Sequence, residues 1–446
     1  MSRFAKVAHT ERGLDRLINF SDAVIAIAAT LLILPVIENL NDAFSAEGDG
    51  LSDAIMQDTA IQAFTFYFGF LVMAAFWHSH HNTFERVKDY SRGLIALNFL
   101  WLIAMVFFAF PVGFLYQPTA EVGALIATNM GVIFVLLSCT KIYVLRHPEL
   151  LVDPLVKVDK RYYAFAFAPA AAMFLIALTV IVFSEDYFAF VFLLLPLLLI
   201  TRKYLLLRPP HTERGMDRLV NFSDAVVAIA ITLLILPLVD IITDDRGGNA
   251  VLLVLGSTEV VAKIITFVFT FWVMSSFWLA NHRLFENVKD YSRGLIGLTV
   301  VWLLLMVLLA IPSALIGQGL ASTFDTNAVA FQGLAGFERE NFYALAFLLF
   351  GFTVALIALA TGLIASHVKR HPELLVDPKE HLSPRRSYYV AILFLVVGAT
   401  PILLTRIGYG GNLVLLCWLA LLILLPFVRN DDGAPRRPET RPEESI

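Results

Sequence analysis

Apolar runs of about twenty residues alternate with short polar, charged segments along nearly the whole chain, and twenty is the number that carries an α-helix across a hydrocarbon core about 30 Å thick. The runs predict six helices in the first half, roughly at 18–37, 60–80, 94–116, 123–145, 162–183 and 187–207. Six more follow in the second half, roughly at 220–239, 258–280, 295–316, 342–366, 387–406 and 411–428. The pattern therefore predicts an all-α integral membrane protein with about twelve spanning helices.

The two halves repeat one another. The stretch Arg16–Val36 (RLINFSDAVIAIAATLLILPV) returns 202 residues later as Arg218–Leu238 (RLVNFSDAVVAIAITLLILPL). Trp77–Leu97 returns 201 residues later as Trp278–Leu298, and Arg146–Pro154 (RHPELLVDP) returns 224 residues later as Arg370–Pro378. The change of offset places an insertion in the second copy, around Gly317–Asn341, which reads as a loop. The expected organisation is a first six-helix repeat over 1–208, a second over 209–430, and a disordered, Pro-rich charged tail over 431–446. An even number of helices per copy inserts both the same way up, so the repeats are parallel.

Composition agrees with membrane residence. The chain of 446 residues is 58% hydrophobic with 37 Phe, and only 16% of it is Asp, Glu, Lys or Arg. Mean hydropathy is +0.75. A soluble fold of this length could not bury so much apolar surface, and the surplus must face lipid. The net charge of −4 says little, whereas its distribution says more. Arg3, Lys6, Arg86, Lys88, Arg92, Arg146, Lys157, Lys160 and Arg202 fall on one set of connections, and Glu38, Asp42, Glu47, Glu121 and Glu185 on the alternate set. The positive-inside rule then predicts both termini on the cytoplasmic side of a multi-pass protein. The polar Met1–Arg16 segment reads as retained, and with no sorting signal recognised the expected location is a prokaryotic plasma membrane. Cys139 and Cys417 lie far apart within apolar runs and suggest neither a disulfide framework nor a thiolate metal site.

The first helix of each copy carries the most unusual polar residues. An acidic residue inside a spanning segment costs about 2.5–3.5 kcal/mol at the centre and less near the interface, so Asp22 and Asp224 call for a partner or a function. The competing reading is an N-terminal cap, where backbone N–H groups favour a carboxylate, but Asp22 lies several residues inside the amphipathic run. At about 100° per residue, Ala23, Thr30, Leu31 and Leu34 fall within about 60° of Ile27, and Asp22 lies near the opposite side. The matching stripe in the second copy is Ala225, Ile229, Thr232, Leu233 and Leu236. Such a stripe either lines a pore with an aliphatic constriction or packs as an ordinary apolar face, and periodicity leaves both open.

At the end of the second helix stand His78, His80 and His81, of which only His81 has a counterpart, His282. No carboxylate sits at H-E-x-x-H spacing, so the cluster does not read as a metal site. His81 and His282 are expected to donate hydrogen bonds near the depth of Asp22 and Asp224. Pro111 and Pro312, late in the third helices, could kink them. The chain contains no phosphate-binding G-x-x-x-x-G-K-[ST], no nucleophile elbow and no basic tail suited to nucleic acid, so neither an enzyme nor a cofactor is expected.

Arg16-x-x-x-Phe20-Ser21-Asp22 and Arg218-x-x-x-Phe222-Ser223-Asp224, each opening a first helix and each continued by A-I-x-x-T-L-L-I-L-P, resemble the signature of the transmembrane protein 175 family. The resemblance implies a potassium-favouring cation channel. It implies further that the first helix of each repeat lines the pore, that Ile27 and Ile229 form its narrowest point, and that Thr30 and Thr232 lie one turn on. Two-repeat members pair, so a homodimer in the lipid bilayer is implied, conducting potassium ions without a cofactor. Arg16, Ser21 and Asp22, with Arg218, Ser223 and Asp224, would then form a packing network behind the pore. A secondary transporter of six-plus-six parallel design and a proton-permeable channel remain the alternative readings.

Overall fold

The computed structural model describes residues 11–43, 53–115, 119–153, 166–183, 213–238, 258–324, 336–377 and 384–406. The helices expected at 187–207 and 411–428, and the tail over 431–446, lie outside the described residues. In the first repeat the helices are α1 (Glu11–Leu31), α2 (Leu34–Ala43), α3 (Asp53–Phe84), α4 (Arg92–Gly113), α5 (Ala120–Arg146) and α6 (Ala168–Phe183). In the second they are α7 (Glu213–Leu233), α8 (Thr258–Phe285), α9 (Arg293–Leu308), α10 (Ala310–Phe324), α11 (Gly336–Arg370) and α12 (Arg385–Arg406). Nine spans among the described residues are long and apolar enough to cross a membrane, and Ala168–Val182 is a shorter apolar helix.

Proline shapes the first helices. Pro35 has no N–H to offer the Leu31 carbonyl, and Val36 N–H bonds to Ile33 O, three residues back, so the run expected at 18–37 divides into α1 and α2. The second copy breaks at the same place, ahead of Pro237, where Leu234 and Ile235 donate to the carbonyls of Ile231 and Thr232. The third helices respond unequally. Pro111 lies in the last turn of an unbroken α4, whereas the helix containing Pro312 is interrupted at Leu309, between α9 and α10. The insertion read as a loop is helical at both ends, since α10 runs to Phe324 and α11 begins at Gly336.

The short motifs between helices act as staples. Ser91 and Ser292 cap α4 and α9 by accepting from Leu94 N–H (3.2 Å) and Leu295 N–H (3.1 Å). The segment after α5 folds back so that Val87 pairs with Leu151, with Lys88 N–H donating to Leu150 O and Val152 N–H to Arg86 O. Val288 and Leu375 repeat the arrangement. These pairings account for the recurrence of K-D-Y-S-R and R-H-P-E-L-L-V-D-P, since each copy ties the end of its fourth helix to the turn between its second and third. At one helix crossing, α11 on α12, Gly351 lies so close that a Cβ there would stand 2.7 Å from the Gly398 Cα. Bare backbone permits that approach. The repeats meet chiefly through α1 against α7, with α3 against α9 and α2 against α10 adding to the seam.

Candidate functional site

The seam between α1 and α7 is built on Asp22. Because α1 begins at Glu11, Asp22 lies in mid-helix, where no cap is available. Its buried carboxylate accepts from Trp77 Nε1–H of α3 (2.9 Å) and from Arg218 of α7, through Nε to Oδ2 (3.0 Å) and Nη2 to Oδ1 (2.7 Å). Arg218 is fully buried, and its Nη1 donates to the His81 backbone carbonyl at 3.1 Å. The pair is a two-point guanidinium–carboxylate contact in which each guanidinium nitrogen has an acceptor, which is what a buried ion pair requires.

A chain of polar side chains continues from this pair and fixes its own proton positions. Ser21 Oγ donates to Leu17 O (2.8 Å) and so accepts from Asn98 Nδ2 (2.8 Å). That turns Asn98 Oδ1 toward His80 Nε2 (2.8 Å), which must carry the hydrogen. His80 Nδ1 is then the acceptor facing Arg218 Nη2 at 3.3 Å. His80 is thus a neutral relay between α4 and the guanidinium. Phe222 stacks on Trp77 with ring centres 4.2 Å apart and planes 16° from parallel.

Toward the N-terminal end of the first helices the contacts continue. Arg214 donates from Nη1 to Val87 O (2.8 Å) and pairs through Nε with Asp15 (3.0 Å). Tyr291 Oη donates to Glu85 beside Gly215, where a Cβ would collide with the Glu85 carboxylate and the Tyr291 ring. Burial, and then the adjoining Glu85 carboxylate, push the Tyr291 hydroxyl far above its ordinary range. Asn221 Nδ2 donates to Asn19 Oδ1 (3.2 Å), and because the contacts advance together along both helices, from Asp15 with Arg214 to Asp22 with Arg218, α1 and α7 run side by side in the same sense.

The network is made once. Arg16 and Phe20, the counterparts of Arg218 and Phe222, are exposed, Phe20 to 50% against 1% for Phe222. Asp224 is half-buried and accepts from Trp278 Nε1–H at 2.8 Å. Ser223 Oγ and Asn281 Oδ1, the counterparts of Ser21 Oγ and of the His80 ring, are buried with no hydrogen-bond partner. His81 departs from its expected role as a donor. Its ring is buried between Trp77 and Tyr291, neither nitrogen has a partner, and the residue contributes its backbone carbonyl instead. His282 sits 3.3 Å from Glu286.

Among the stripe residues, Ile27 (45% exposed) and Leu31 face outward, Leu34, Ile229 and Leu236 are half-buried, and Leu233 is buried. Thr30 is buried, donating to Ala26 O (2.9 Å), whereas Thr232 is exposed and donates to Ile229 O (2.8 Å). The open face of α1 runs through Phe20, Ile27 and Leu31, and that of α7 through Asn221, Ala228 and Thr232 and on to Ile235 in the break. His80, Asn98, Glu85, Tyr291 and Arg214 had not been assigned to the site. The recurrence E-R-G-L-D-R-L (11–17) and E-R-G-M-D-R-L (213–219) was the available signal for Arg214 and Gly215.

Residues 16–108 and 218–310 each match the family model described as endosomal/lysosomal potassium channel TMEM175. Both repeats match the TMEM175 family over their first three spans. Each match begins at the Arg of R-x-x-x-F-S-D and ends in the third helix, so the family core contains the first helix and the partners that hold its Asp. A zebrafish (Danio rerio) protein named endosomal/lysosomal proton channel TMEM175 is 26% identical over 224 residues, which is 49% of this chain and 38% of that protein. A Chryseobacterium protein named as a potassium channel is 26% identical over 204 residues, 45% of this chain and 91% of that protein. The TMEM175 units thus lie in a multi-pass membrane protein, and the network above joins the two of them.

Proposed function

We propose that the protein is a homodimeric, potassium-favouring cation channel, with an ion path lined by the first helix of each repeat and narrowest at Ile27 and Ile229. The observation that carries this reading is the half-finished ring of first helices. One chain supplies two parallel helices joined by Arg218–Asp22, and the residues that would make the same joint again, Arg16 and Phe20 on α1 and Asp224 on α7, lie at the two open flanks. A second copy docked by the same rule sets Arg16 against the partner's Asp224 and Phe20 against the partner's Trp278. Four first helices then surround one axis.

The unequal exposure of the two stripes supports the same geometry. In a ring of four, α1 is open toward the axis and one flank, and α7 toward the axis and the other. Taking Ile27 as zero, the α1 face centres near 0° and the α7 face, renumbered by repeat, near −90°, so the shared direction is about −40°. Ala23, Ile27, Thr30 and Leu34 lie about that direction, as do Ala225, Ile229, Thr232 and Leu236. The exposed Thr232 hydroxyl uses its hydrogen on its own helix and keeps oxygen lone pairs for a cation, whereas Thr30 is enclosed within the single chain. Selectivity then comes from pore width and from the cost of dehydration at the Ile ring. The N-termini face the cytoplasm in this arrangement.

Unitary currents of Ile27→Ala and Ile229→Ala test the pore lining. Each raises conductance, and the double substitution raises it further. Unchanged conductance in the double variant rejects the lining. Since one relative is named as a proton channel, the same recordings made under a pH gradient give the proton share of the current.

A further inference from the structure

Each broken first helix backs onto a cavity. In the first repeat Leu31, Leu32 and Pro35 face Gln62 and Thr65 of α3 across a partly open cavity. A like cavity lies behind the second break, and every residue lining the first has its repeat counterpart there. The linings differ at two positions, where Gln62 is replaced by Lys263 and Gly113 by Ala314, and only the first changes a polar group.

That replacement shows what the walls accept. A lysine side chain is an n-butylammonium group tethered at one end, and Lys263 is a buried residue of the second cavity's lining, together with Leu233, Leu234, Pro237 and Thr266. The first cavity has the same apolar walls and a shorter, neutral amide. Its Gln62 Oε1 is shielded from solvent and has no hydrogen-bond partner, a condition that costs free energy until a donor arrives. Pro35 also deprives the Leu31 carbonyl of its donor four residues on, which leaves a second acceptor on the same wall.

We infer that the first-repeat cavity is a binding site for a small aliphatic ammonium ion, held at the position where the second repeat carries the Lys263 side chain. The alkyl part lies against Leu31, Leu32 and Ala109, and the ammonium donates to Gln62 Oε1 and the Leu31 carbonyl. Access is at Leu31, which reaches the surface. A ligand of five heavy atoms binds weakly, with half-saturation on the order of 1 mM.

The test is the melting temperature of the purified full chain titrated with n-butylammonium chloride against potassium chloride at constant ionic strength. Wild type shows a saturable rise. Gln62→Lys, which tethers an amine in the first cavity, abolishes the rise, and Gln62→Leu, which keeps the wall and removes the acceptor, raises the half-saturation concentration at least tenfold. Lys263→Gln opens the equivalent second site, so calorimetric titration gives two ammonium ions per chain in place of one. No saturable rise in wild type overturns the site, as does an undiminished rise in Gln62→Lys, which would place the ammonium elsewhere. Should Gln62→Lys fail to fold, an unchanged stoichiometry in Lys263→Gln is the contrary result. None of these readouts requires ion conduction.

Discussion

Asp22 and Asp224 hold equivalent positions in equivalent helices and have different surroundings. Asp22 takes Trp77 and Arg218, and Asp224 takes Trp278. Sequence made the need for a partner legible, because a bare carboxylate inside a span is costly, but it did not identify the partner. Helix geometry held part of the answer. Arg and Asp stand six positions apart within the motif, which places them about 9 Å apart along the axis and on different faces, so each must pair outside its own helix. Arg218→Met strands a buried carboxylate and is expected to cost about 3–5 kcal/mol, read as a lowered melting temperature, whereas Asp22→Leu with Arg218→Leu recovers most of the loss. Tyr291 supplies a pH signature. Its folded-state value is raised, so its contribution is intact below about pH 10 and is lost as the pH rises further, because the unfolded chain ionises first. Alkaline titration of stability should therefore fall by up to about 1.4 kcal/mol per pH unit more in wild type than in Tyr291→Phe.

At the scale of elements, hydropathy located every described helix but erred on its continuity. Spans were legible because lipid demands a fixed apolar length, whereas breaks depend on whether neighbours satisfy freed backbone groups. Pro35 and Pro237 each end a helix, while Pro111 sits within the last turn of α4, where few hydrogen bonds remain to be lost. The loop assigned to the insertion was drawn too long at both ends for a related reason, since its Gly and polar content lowered hydropathy without preventing α10 and α11 from running into it. Glycines distinguish packed faces from open ones. A methyl at Gly297 meets nothing within 4 Å, so Gly297→Ala is expected to stabilise by about 0.5–1 kcal/mol through helix propensity. Gly215→Ala drives a methyl into Glu85 and Tyr291 and is expected to destabilise by about 1–3 kcal/mol. Thermal melts of the two variants should move in opposite directions.

At the scale of the whole molecule, the duplication was plain in the sequence and the inequality of the copies was not. Trp77 and Trp278, Asp22 and Asp224, and Phe222 and Phe20 read as equals, yet the chain folds one repeat onto the other and leaves the second set of contacts facing outward. Two repeats have one seam between them, and a closed ring of four needs four. The proposed dimer therefore contains two seams within chains and two between them, and the latter have Asn281 and Thr299 where the former have His80 and Asn98. Arg16→Glu should abolish dimerisation measured by light scattering in detergent, and Asp224→Arg in the same chain should restore it. A monomer that survives Arg16→Glu without conducting would place the pore at the assembled axis.

The most direct measurement is of current through the reconstituted wild-type protein in a planar bilayer under a potassium gradient with no other permeant cation. Resolvable unitary events that reverse close to the potassium equilibrium potential are the predicted result. Slow, saturable flux without unitary events, or a reversal potential that ignores the potassium gradient, would contradict the account.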